Sequence, residues 1–114
     1  MLYMFLICGD PHNPDEFDSD VQEEHGKFEQ ELRERGLFAG GAGLMPAQIS
    51  KTVRRQNGEI VITDGPFAAT KEAVVGYYVI DCKDEVEALE YATKIPVTKN
   101  AWVQVRQVAL WHPK

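Results

Sequence analysis

Residues 2–8, Leu2-Tyr3-Met4-Phe5-Leu6-Ile7-Cys8, form an unbroken apolar run closed by Gly9-Asp10-Pro11. The run is too short for a membrane span, and no 18-residue apolar stretch follows it. It also lacks a basic flank and a small-residue cleavage site, so it does not read as a signal peptide. The expectation is a strand buried at the centre of a sheet. Such a strand needs neighbours on both edges, and the rest of the chain supplies candidates.

Outward from it, residues 9–18 read as a loop broken by Pro11 and Pro14. A helix is predicted over about 19–35. Ser19/Gln22 and Asp20/Glu23 have capping-box spacing, Arg33 and Arg35 suit the negative end of the dipole, and Gly36 is a natural stop. Its inward stripe is Val21, His25, Phe28 and Leu32, which puts one histidine on the apolar side of a very polar helix. Residues 37–47 read as an extended strand weakened by Gly40, Gly41 and Gly43, a sign of close backbone or ligand approach. Residues 51–56 and 59–63 flank Asn57-Gly58, a strong hairpin signal, and Asp64-Gly65-Pro66-Phe67 is a turn.

Residues 74–81 (VVGYYVID) are a second buried strand. A second helix is predicted from Asp84 to Ile95, capped by Asp84 and Glu87, with Val86, Leu89 and Ala92 inward and Pro96 just beyond. The last strand is predicted over 101–111, with a bulge where the alternation shifts at Gln107-Val108. The order β-α-β-(β-hairpin)-β-α-β, or β-α-β-β-β-α-β with the hairpin counted once, specifies a ferredoxin-like α+β sandwich in a single domain, 1–114. Two helices cover one face of such a sheet. A second copy over the other face, a homodimer, is the expected way to bury it.

Composition narrows the function classes. The chain has 114 residues, 44% hydrophobic and 26% charged, with a net charge of −6. That argues against direct nucleic-acid binding, which needs a basic face. Nine acids and a single base, Lys27, fall within residues 10–31, so the negative charge belongs to the first loop and helix. Cys8 and Cys82 lie in apolar strand-like contexts without metal spacing, so buried reduced thiols in a cytoplasmic protein are expected. His12, His25 and His112 share no ligand spacing, and no metal site is expected. The glycine segment 40–43 lacks the Lys-Ser/Thr of a phosphate loop, and there is no G-x-S-x-G elbow.

The segment Thr63-Asp-Gly-Pro-Phe-Ala-Ala-Thr-Lys-Glu72, followed by Gly76-Tyr-Tyr, resembles the signature of the DGPF group of the YCII-related family. LYMFLICGD at the start, Gly41-Ala-Gly-Leu-Met-Pro46 and Ile95-Pro96 extend the resemblance along the chain. It implies a ferredoxin-like unit that pairs into a dimeric α+β barrel. It also implies a pocket near a helix-1 histidine, which His25 matches, with a nearby aspartate as an acid/base partner. Asp10 and Asp64 both qualify. DGPF-group proteins are similar to those encoded beside alternative sigma factors, which implies a link to transcription control.

The candidate chemistry follows from residue type. His25 exchanges protons near neutral pH, and a carboxylate on one ring nitrogen would orient it. The structural alternative is a histidine satisfied within the core. Asp64 and Asp10 stand before Gly65-Pro66 and Pro11, where aspartates also brace turns. Thr70, Lys71 and Glu72 offer a hydroxyl, a cation and an acceptor for a polar substrate group, or else brace the loop. Phe67 and Tyr77 can line a pocket or belong to the core. Two functions are expected from this set. The first is a cofactor-independent enzyme acting on a small molecule by proton abstraction, elimination or isomerisation. The second is a non-enzymatic ligand-binding or regulatory module.

Overall fold

The computed structural model describes residues 1–10, 19–67 and 73–113. The apolar start forms β1 (Leu2–Gly9), followed by α1 (Ser19–Glu34), β2 (Phe38–Gly43), a short 3-10 turn (Ala47–Ile49) and the strands β3 (Lys51–Gln56) and β4 (Glu59–Asp64). Then come β5 (Ala73–Asp81), α2 (Glu85–Lys94) and β6 (Trp102–Gln107). The main sheet has the order β2-β5-β1-β6, and every pairing in it is antiparallel. This is the ferredoxin-like α+β topology, with β1 central as its apolar run requires. The β3–β4 hairpin forms a two-stranded sheet of its own. Its Asn57-Gly58 turn has positive φ at both residues, 53° and 81°, as a two-residue hairpin loop demands.

The core lies on one face of the sheet. Tyr3, Phe5 and Ile7 of β1 alternate inward with Tyr78 and Ile80 of β5, and Phe28, Leu32, Ala88, Tyr91 and Ile95 cover them. Helix α1 lies against the β2 side and α2 against the β6 side. Helix α1 ends in a Schellman motif. Gly36, at φ 70°, donates to Arg33 O at 3.0 Å, and Leu37 donates to Leu32 O at 2.9 Å. Helix α2 is capped by Asp84, whose carboxylate accepts from Glu87 N at 2.9 Å.

Four expectations are corrected. In α2 Ala92 packs against the core as expected, but beside Ala88, Tyr91 and the C-cap Ile95, while Val86 is 66% and Leu89 50% exposed. Two apolar stripes compete on this short helix, and the one with the larger ring wins, because Tyr91 also receives a hydrogen bond from Arg35 at 3.4 Å. Strand β2 stops at Gly43, with the 3-10 turn following Pro46. Strand β6 stops at Gln107 in place of running to 111. The chain then turns so that Trp111 lies beside Gly40, the register partner of Val79. That places the tail on the face away from the helices, where Val79 is buried. The capping residues expected at Ser19 and Asp20 fall inside the first turn of α1.

Candidate functional site

Helix α1 meets the β2–β5 edge of the sheet loosely, and a cavity of about 270 Å³ lies between them. On the helix side it is bounded by Gln22, His25, Gly26 and Glu29, about two turns along a single face. On the sheet side it is bounded by three positions without side chains, Gly41, Gly43 and Gly76, together with Ile7, Ala42, Val75, Tyr77 and Tyr78.

Two of these glycines follow from close strand approach, whereas a Cβ at Gly43 would meet nothing within 4 Å. A Cβ at Gly76 would lie 2.9 Å from Ala42 O, and one at Gly41 would lie 3.0 Å from Tyr77 O and 3.3 Å from the Tyr78 ring. Gly26 is different, because a Cβ there meets nothing within 4 Å. A mid-helix glycine costs about 0.5–1 kcal/mol relative to alanine. No crowding requires it, and its missing side chain leaves the cavity open next to His25.

His25 is half-buried and its Nδ1 lies 2.8 Å from the Tyr78 hydroxyl. The two rings stack with centroids 5.8 Å apart. Phe28 and Phe38 meet Tyr78 edge-on at 5.3 Å and 6.5 Å, which fixes the phenol ring. Burial, with a smaller contribution from the charge of Glu29, pushes the Tyr78 phenol up to about 12. Tyr78 is therefore neutral at physiological pH. Glu29 pairs with Arg33 at 3.5 Å, and the Arg33 guanidinium sits 4.4 Å over the Phe38 ring.

The other candidates fall in different places. Asp64 is exposed at the end of β4 and forms an ion pair with Lys51 across the hairpin. The turn after it is held by Gly65, which donates to Ser50 O at 2.7 Å and accepts from Thr52 Oγ1 at 2.7 Å. Phe67 is 68% exposed and lies under the Arg54 guanidinium at 4.4 Å. Asp10 is half-buried just past the end of β1, three residues beyond Ile7 of the cavity wall. Tyr77 borders the cavity, but it alternates with Tyr78, so its side chain is on the opposite face of the sheet. Thr70, Lys71, Glu72 and His12 lie outside the described residues.

Sequence reasoning missed Tyr78 and Gly26. The phase of β5 carried the signal for Tyr78, since it shares a face with Gly76 and Ile80 and its neighbour Tyr77 does not. A glycine directly after the one histidine on the apolar stripe of α1 carried the signal for Gly26.

Cys8 and Cys82 are thiols and form no disulfide. Burial, followed by the charges of Glu87 and Asp81, pushes Cys82 up to about 11, so it is a poor nucleophile. Among the described residues no group of three His, Cys, Asp or Glu side chains converges as a metal site would need. Among the same residues, no helix is long and apolar enough to cross a membrane.

Fold and site together define a ferredoxin-like domain with a helix-1 histidine over a glycine-floored cavity. The model of the YCII-related domain matches residues 1–112, so the chain belongs to the YCII-related family. An uncharacterised protein of Rhizobium meliloti (strain 1021), R00369, is 35% identical over 121 residues, covering 99% of this chain and 96% of that protein.

Proposed function

We propose that the cavity is a small-molecule site in which His25 carries the proton of an elimination or isomerisation. The observation behind it is a titratable side chain on the wall of a cavity whose floor includes three glycines, backed by a neutral phenol. A site of this kind suits proton transfer because imidazole titrates near the working pH. Asp64 is engaged with Lys51 on the hairpin, so in this proposal Asp10 is the carboxylate that assists His25. Thr70, Lys71 and Glu72, which follow Phe67 in the chain, hold the polar end of the ligand.

Native mass spectrometry of the purified protein tests the site. A small molecule is expected on the wild type, and Gly26→Met, whose side chain enters the open space, should lose it while remaining folded. A folded Gly26→Met variant that keeps the ligand rules the cavity out. Once a ligand is in hand, His25→Ala should retain binding and abolish its conversion. Retained binding with no conversion by either protein identifies a binding or regulatory module instead.

We further propose that a second copy of the chain covers the sheet face opposite the helices. Val74 and Trp102, register neighbours of Cys8 on that face, are 41% and 43% exposed. Exposed apolar surface of this kind is usually buried by association. Sedimentation should give a dimer that Trp102→Glu weakens at least tenfold.

A further inference from the structure

The geometry points to Tyr78 as the positioning residue that holds neutral His25 with its proton on Nε2, so that the imidazole faces its partners as a hydrogen-bond donor. A neutral phenol has one proton to give. Among the described residues, two acceptors lie near the Tyr78 hydroxyl, His25 Nδ1 at 2.8 Å and the His25 carbonyl oxygen at 3.5 Å. That carbonyl is inside α1, where it accepts the backbone N–H four residues on. The nitrogen is closer and, in one of the two tautomers, has a lone pair available. In the opposite tautomer, Nδ1–H would donate to the phenol oxygen. Among the described residues, the phenol proton would then have only the long contact to a carbonyl already engaged by the helix. The Phe28 and Phe38 edges keep the Tyr78 ring from turning to another acceptor.

With Nδ1 accepting, the proton of the neutral ring is on Nε2. Whatever Nε2 meets must then accept, and on a ligand that means a carbonyl or carboxylate oxygen. This deepens the small-molecule reading and rests on it only for the ligand class. His25 would stabilise negative charge building on a substrate oxygen through its Nε2 proton. If Nδ1 does gain a proton, the hydroxyl can rotate toward the carbonyl at 3.5 Å, and the phenol oxygen then accepts from the ring.

The test is nitrogen-15 NMR of the full chain labelled at histidine, without ligand, above the pH at which the ring titrates. The expected pattern for His25 is a protonated Nε2 and a bare, hydrogen-bonded Nδ1, with a slowly exchanging Tyr78 hydroxyl proton coupled to it. Tyr78→Phe should erase that proton and move the Nδ1 resonance to the unbonded position. A proton found on Nδ1 of the wild type overturns the proposal, as does an unchanged Nδ1 resonance in a folded Tyr78→Phe variant. Should that variant not fold, the wild-type spectrum decides alone. The readout needs no ligand, so it can fail or succeed separately from the small-molecule reading.

Discussion

Helix α2 and its C-cap press Ala88, Tyr91 and Ile95 into the core, whereas helix α1 buries Phe28 and Leu32 alone among its described residues. One turn before Phe28, α1 carries His25 and Gly26 over open space. The difference comes from the strands beneath. Under α2 and the centre of the sheet lie Tyr3, Phe5 and Val105, which fill the layer. Under the first half of α1 lie Gly41, Gly43 and Gly76, which cannot. A helix with a mean apolar face is sealed or unsealed by the volume of the strand residues it meets.

The largest test of that contrast is Leu32→Ala, at the point where α1 does seal. Leu32 is fully buried, and its truncation should cost about 2–5 kcal/mol, read as a lower urea midpoint. A wild-type midpoint would mean that this end of α1 is as loose as the other. Next, Ala88→Met in the filled layer should cost about 1–3 kcal/mol through overpacking. Gly26→Ala should go the other way and raise stability by about 0.5–1 kcal/mol, since it removes a helix glycine and clashes with nothing. A destabilised Gly26→Ala would show that the space beside His25 is tighter than the cavity implies.

The last test is a pH dependence. Folding raises the Tyr78 phenol from its ordinary value near 10 to about 12, so between those values the folded chain holds a proton that the unfolded chain has lost. Stability should be flat with respect to this group below about pH 10 and fall as pH rises toward 12. Ultraviolet titration should show a late-ionising tyrosine, and Tyr78→Phe should remove both it and its share of the slope.

Much of the fold was legible because local rules carried it. The apolar run of 2–8 marked the central strand, Asn57-Gly58 the hairpin, Gly36 the end of α1 and Asp84 the start of α2. The stripe Val21, His25, Phe28 and Leu32 was also correct, because α1 has only one apolar face to offer. In α2 the chain offers Val86 and Leu89 as well as Ala88, Tyr91 and Ile95. Periodicity cannot choose between two such stripes, and the contact of Tyr91 with Arg35 and the core does. The tail after Gln107 was misread for a related reason, since Val108 to Trp111 look strand-like but the partner edge ends at Leu2.

The candidate site divides the same way. The sequence alone determined that a histidine stands on the inner side of α1, because side-chain spacing on one helix is a local property. It also determined the acidic character of that helix and the glycine-rich edge opposite. Only the tertiary structure decided that His25 is met by Tyr78, 53 residues away. That pairing depends on strand register and on which face of β5 points at α1, and both are set by the closing of the whole sheet.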